Sequence, residues 1–172
     1  MPAIRRPLTA NETALARRLY GHGLDYRCIR LCSGTWWLPR NGVAMAPCGH
    51  IHFPATAFCS DFASQGPAAQ AWLIHELAHV WQHQNGFPVW LGGLRIALSG
   101  GYLNARAYRL PDLATVPHFS RLNMEQQADL LRNCFLALHH HDPRHQNQLP
   151  HYRRLLRPFF ANPQDHRLLP AW

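Results

Sequence analysis

Apolar residues recur at spacings of three and four in two long stretches of the chain. Ala71, Ile74, Ala78 and Trp81 form one stripe, which predicts a helix over 68–84 stopped at Asn85-Gly86. Ala128, Leu131, Phe135 and Leu138 form the other. It predicts a helix from Ser120 or Asn123 to His139, with Asn123-Met124-Glu125-Gln126 as an asparagine form of the capping box. A shorter helix should follow Thr9-Ala10-Asn11-Glu12, where a threonine cap meets a glutamate three residues on. It should turn Ala14, Leu15, Leu19 and Tyr20 inward and end at Gly21 and Gly23. Tyr152 to Phe160 reads as a last short helix, with Pro158 near its end or kinking it.

Between the first helix and the first stripe the pattern turns to β-prone alternation. Tyr26 to Leu31 reads as a strand, Ser33-Gly34 as a turn, Thr35 to Leu38 as β-prone and Pro39 to Gly42 as a strong turn. Val43 to Ala46 can return as a short strand. Gly49 to Phe53 reads as another, with Ile51 and Phe53 assigned to opposite faces and Pro54 as its stop. After Gly86 the chain reads as irregular. Leu94, Ile96, Ala97 and Leu98 fit a helix or a buried loop, and 102–110 a short strand or turn. The tail to Trp172 carries Pro163 and Pro170 and little periodicity. The expectation is an α+β fold in a single domain over 1–172, its core about 8–140 and a C-terminal extension at 141–172.

Composition narrows the picture. A chain of 172 residues with 47% apolar content, six Trp and eight Phe can bury a sizeable core. The net charge is +8, and every basic residue is arginine. The clusters Arg5-Arg6, Arg17-Arg18 and Arg153-Arg154 with Arg157 read as solvated surface. They are not interleaved with aromatics, so nucleic acid is not the expected partner. The cysteine count, five, is odd, and no Cys-x-x-Cys pair occurs, so buried free thiols are expected rather than a second metal site. The start lacks the apolar segment of a signal peptide, and no run approaches a membrane span. The chain should be cytoplasmic as made, with export by a route that reads no cleavable signal left open.

The chemistry concentrates at His75-Glu76-Leu77-Ala78-His79, an H-E-x-x-H motif on the first striped helix. Positions four apart share a helix face, so His75 and His79 can reach one ion, and Glu76 can take a proton from a water there. Zinc (Zn2+) suits such a donor set. The alternative is two partly buried histidines hydrogen-bonded to their neighbours. A third ligand must come from elsewhere, and His118, Glu125, Asp129, His83 and a cysteine are the candidates. His83 shares the face of His79 and cannot readily wrap the ion. Position 85, where some zincins place a third histidine, is Asn85. Glu125 opens the next helix and is the best choice. Asp129, one turn on, can accept the other ring proton of His75. Only nine acidic residues exist, and Glu76, Glu125 and Asp129 are three of them. For the donor that would steady a developing oxyanion, Tyr108 ranks ahead of Tyr102 and His118.

The pairing of His75-Glu-Leu-Ala-His79 with Asn123-Met-Glu125-Gln-Gln-Ala-Asp129 resembles the zincin superfamily on its gluzincin side, typified by thermolysin. That resemblance implies Glu125 as third zinc ligand and Asp129 as support for His75. A wider likeness, over about 8–140, is to small bacterial zincin-like proteins described as Vgr-related or Rhs-associated and linked with type VI secretion and polymorphic toxins. It is carried by the extended motif to Gln84, by Ala107-Tyr108-Arg-Leu110, by Gly49 to Pro54 and by Asp61-Phe62. Arg106 and Arg109 depart from it, since that family favours acid between the tyrosines. The implied function is a hydrolase: a zinc metallopeptidase acting on a protein or peptide substrate, with Glu76 as general base. The alternative is a non-catalytic, zinc-containing accessory that binds a secretion-system or immunity partner.

Overall fold

The computed structural model describes residues 4–36, 38 and 42–171. Helices dominate it. A three-stranded sheet is built from β1 (Ile4–Pro7), β2 (Arg30–Ser33) and β3 (Ile51–Phe53), with β2 in the middle, antiparallel to β1 and parallel to β3. The helices are α1 (Ala10–Tyr20), α2 (Pro67–Gln84), α3 (Val89–Leu98), α4 (Met124–His140), α5 (Pro143–Gln146) and α6 (Leu149–Ala161). The fold is thus mixed α+β, as expected. No helix among the described residues is long and apolar enough to cross a membrane.

α1 starts where its capping box says. Thr9 accepts from the Glu12 backbone at 3.0 Å, and the Glu12 carboxylate accepts from the Thr9 backbone at 2.9 Å. Glu12 also accepts both guanidinium nitrogens of Arg6, at 2.7 and 2.8 Å, and the Phe62 amide at 2.8 Å. One fully buried carboxylate thereby ties β1, α1 and the approach to α2 together. The inward face is Leu15, Ala16, Leu19 and Tyr20; Ala14, expected inside, is exposed. A stripe running 12, 15–16, 19–20 leaves position 14 on the outer side.

The strands differ from the sequence reading. Residues 26–28 form a turn of 3-10 helix, because Asp25 caps the Arg27 amide at 3.2 Å, and the strand begins only at Arg30. The Leu38 amide donates to the Thr35 carbonyl at 3.2 Å, the bond of a turn where β-prone backbone was expected. Of the turn expected at Pro39 to Gly42, the first three residues lie outside the described residues. Val43 to Ala46 contributes a single bridge, in which Met45 and His52 exchange both backbone bonds at 3.0 and 2.8 Å. Ile51 and Phe53 are both fully buried on one face, not opposite ones, since strand side chains alternate and residues two apart share a side.

α2 runs through the centre. From Ala71 to Gln82 only Trp72 escapes full burial, so the helix is enclosed on every side rather than along one stripe. Successive contacts show that α4 lies antiparallel to it: Gln82 meets Met124 and Gln127, His79 meets Glu125, His75 meets Asp129, and Gln70 meets His140. On its other flank Tyr20 donates to the Ile74 carbonyl at 2.6 Å. Residues beyond 140 enter the same core. Tyr152, Leu155, Leu156 and Phe159 of α6 are buried, and Phe159 packs edge-on to Trp81. The aperiodic tail is held by the backbone: Trp81 donates to the Pro163 carbonyl at 2.6 Å and Gln127 to that of Leu168 at 2.9 Å.

The segment left open as helix or buried loop is helical α3, and much of its surface is exposed. Residues 103–108 then make two short turns across a kink, with Asn104 and Ala105 in left-handed conformation at φ 53° and 56°.

Candidate metal centre

α2 presents His75, Glu76 and His79 towards the first two turns of α4, which present Glu125 and Asp129; all five are buried. The start of α4 is fixed by its capping box. The Asn123 side chain accepts from the Gln126 amide at 2.9 Å, and the Gln126 side chain accepts from the Asn123 amide at 3.0 Å. The same two side chains reach sideways, Asn123 to the Ala107 carbonyl at 3.2 Å and Gln126 to that of Arg109 at 2.8 Å. The cap therefore also anchors the segment that carries Tyr108.

Nε2 of His75 lies 3.3 Å and Nε2 of His79 lies 3.2 Å from the same Glu125 oxygen, Oε2. All three donor atoms lie within 4.8 Å of one another. Tetrahedral zinc with ligands at about 2.0–2.1 Å needs donor atoms about 3.3–3.4 Å apart. The two measured separations match that edge. Among the described residues no other group of three histidine, cysteine or carboxylate side chains is so placed. This buried trio could hold a metal ion.

The atoms behind the trio set its orientation. His75 Nδ1 lies 2.9 Å from Asp129 Oδ1, within pairing distance but not aligned as a well-directed hydrogen bond. Arg132 pairs with the same oxygen at 2.9 Å. His79 Nδ1 meets Gln82 Oε1 at 2.9 Å, and the amide nitrogen of Gln82 donates to the Met124 carbonyl at 3.1 Å. A carbonyl can only accept, so the Gln82 oxygen must face His79. Nδ1 then carries the proton, and in the neutral ring Nε2 is bare towards Glu125. The remaining Glu125 oxygen accepts from the Tyr102 hydroxyl at 3.0 Å.

Without a metal, protons take up the charge imbalance. Burial opposes ionisation of His75, but the Asp129 and Glu125 carboxylates outweigh it and push its pKa up to about 10. Burial likewise opposes His79, and Glu125 raises it. Glu125 is held well below the usual carboxylate range despite its burial, by His79 and His75. Glu76 goes the other way: burial raises it, only partly offset by the two histidines. Its Oε2 is buried with no hydrogen-bond partner. A carboxylate raised in pKa, with one buried oxygen unpartnered beside a trio that could hold a metal, is equipped to accept a proton. Burial also keeps the Tyr102 and Tyr108 hydroxyls protonated, their pKa values raised further by the charge of Glu125.

These groups line a cleft of about 1050 Å³. Its walls include Val43 and Met45 on one side and Trp90 and Leu94 of α3, and Arg132 and Arg144 also line it.

The structure thus brings together His75, Glu76, His79, Glu125, Asp129, Tyr102 and Tyr108. His83 and His118 are exposed and stand outside the donor trio, and no cysteine joins it. His50 and His52 are engaged elsewhere, by Arg5 at 3.0 Å and Thr35 at 2.8 Å. All five cysteines are free thiols, but Cys28 and Cys48 are exposed rather than buried. Sequence reasoning missed Gln82 and Arg132. Each lies three residues after a site residue on the same helix, His79 and Asp129, and that spacing was the available signal.

The fold and donor set define a helix-rich α+β domain built round a buried His-His-Glu group. No family model matches the chain. In a 142-position alignment that covers 76% of its length, it is 34% identical to the type VI secretion system spike protein VgrG2b of Pseudomonas aeruginosa, of which it spans only 13%. It also matches the solved effector domain of Pseudomonas aeruginosa VgrG2b, at a TM-score of 0.69 and 31% identity, over 88% of this chain and 82% of that one. The chain belongs to the family of the VgrG2b effector domain.

Proposed function

We propose that this chain is a type VI secretion effector domain acting as a zinc-dependent metallopeptidase of gluzincin type, with a protein or peptide as substrate. The observation that carries the reading is the buried trio His75, His79 and Glu125 with the unpartnered Oε2 of Glu76 beside it, open to a large cleft. Family membership supports delivery by a secretion system. The residues beyond 140, which share the core, belong to the same domain in this reading.

A zinc ion held by the trio would supply positive charge that polarises a carbonyl and lets a water lose its proton near neutral pH. The chain's own residues do the rest. Glu76 takes the proton from that water and returns it to the departing amine. Tyr108, with Tyr102 beside it, offers a hydroxyl to the carbonyl oxygen as it gains charge. Asp129 and Gln82 keep the two imidazoles turned towards Glu125. Burial holds the proton affinity of Glu76 above that of an ordinary carboxylate.

The metal half of the reading is tested by elemental analysis after zinc-supplemented purification. One zinc per chain is expected, lost in His79→Ala and Glu125→Ala with the helical circular-dichroism signal retained. Absence of zinc from the wild type, or its retention by Glu125→Ala, would overturn the assignment.

A further inference from the structure

Among the described residues eleven large apolar side chains are exposed, and six of them fall between Trp90 and Leu103. That concentration is not a scatter of single surface residues. Leu91, Leu94 and Leu98 stand three and four apart on α3 and share one face. The turn after α3 folds back on it, with Gly101 donating to the Ile96 carbonyl at 2.8 Å and Leu103 to that of Gly100 at 3.0 Å. Leu103 stands in that turn, against Gly100 just past the end of α3. Leu98 is 81% and Leu103 71% exposed, so their side chains stand out from the surface.

Charge completes the pattern. No acidic residue occurs between Glu76 and Asp112, whereas Arg95, Arg106 and Arg109 are all exposed there. An apolar ridge on a segment that carries exposed cations and no acid matches a surface that is negative outside and apolar just beneath. We propose that the α3 ridge seats the protein on an anionic lipid bilayer, with Leu91, Leu94, Leu98 and Leu103 entering the headgroup–acyl boundary and the three arginines meeting lipid phosphates. Trp90, at the ridge's edge and 57% exposed, lies at headgroup level, where an indole's apolar body and N–H are both satisfied. Because Trp90 and Leu94 also line the cleft, the bilayer would meet the protein at the mouth of the metal site. A protein partner would need a complementary acidic rim; an anionic bilayer has that chemistry everywhere. The proposal holds whether or not the site hydrolyses peptides.

The test is co-flotation of the purified chain with vesicles of phosphatidylglycerol and phosphatidylcholine, against vesicles of phosphatidylcholine alone. Binding to the anionic vesicles should be at least about tenfold stronger and should fall with added salt. L98D/L103D, two exposed positions outside the cleft lining, should lose about tenfold or more, as should R106E/R109E. A blue shift of tryptophan fluorescence on binding should shrink in Trp90→Phe. No association with anionic vesicles, equal binding to both compositions, or unchanged binding by both double variants would overturn the proposal. A soluble protein partner whose capture depends on these leucines, with no vesicle binding, would reassign the ridge to that partner.

Discussion

Gln82 gives the sharpest test of how the site is held. It is fully buried, its oxygen 2.9 Å from His79 Nδ1 and its nitrogen 3.1 Å from both the Met124 carbonyl and Gln127 Oε1. Gln82→Leu preserves volume but strips His79 Nδ1–H and Gln127 Oε1 of a buried partner. At about 1–3 kcal/mol for each of these two buried groups left unsatisfied, the fold should lose about 2–6 kcal/mol. The metal should feel a separate loss. With no acceptor on Nδ1, the imidazole no longer favours the tautomer that leaves Nε2 bare, and zinc affinity should fall about 10–100-fold. Gln82→Glu separates the two effects. It keeps an acceptor for His79, so zinc affinity should hold or rise, but it loses the donor to Met124, so stability should still fall. Urea denaturation of the metal-free proteins and competitive chelator titration of zinc read the two quantities independently. Wild-type zinc affinity in Gln82→Leu, measured on protein shown to be folded, would refute the tautomer argument.

Other outcomes follow from the same geometry. Glu12→Ala should cost about 3–5 kcal/mol in urea denaturation, because it leaves the partly buried Arg6 charge without its carboxylate. Tyr20→Phe removes the hydroxyl that donates to the Ile74 carbonyl and should cost about 1–2 kcal/mol by the same assay. pH enters through His75, whose folded pKa of about 10 lies above the ordinary 6.5. A raised pKa stabilises the fold fully below about 6.5, and the benefit is lost as pH rises through about 10. Metal-free protein should therefore lose stability over that window. Zinc must displace the same protons, so calorimetry at pH 7.5 in buffers of differing ionisation enthalpy should show proton release, and zinc affinity should rise with pH.

How much of this was legible beforehand divides along physical lines. The two long helices and the capped α1 could be read because periodicity and capping are local. Asn123 is an instance: three residues fix both where α4 begins and which way Glu125 points. The buried His-His-Glu grouping could be read because H-E-x-x-H constrains one helix, and scarce acids left few choices for its third member. Short strands were harder. Asp25 overrode an alternating pattern at 26–28, and Val43 to Ala46 kept one bridge, since β pairing depends on partners far along the chain. The tail was illegible for the same reason: its 163–168 segment is ordered by backbone carbonyls accepting from Trp81 and Gln127, which leave no periodicity behind. The exposed face of α3 was hidden because apolar spacing alone does not say whether a neighbour covers it.

The central claim is that Glu76 moves a proton at this site without holding the metal. Its carboxylate is buried, has one oxygen without a partner, and lies outside the donor trio. Glu76→Gln keeps its size and removes the base. An unbiased peptide library should be digested with wild type and with Glu76→Gln, both zinc-loaded to the same stoichiometry, and read by mass spectrometry. The account predicts new cleavage products with wild type and their loss by on the order of 10²-fold or more in the variant, with zinc content and fold unchanged. Equal cleavage by both proteins, or loss of zinc from the variant, would contradict it.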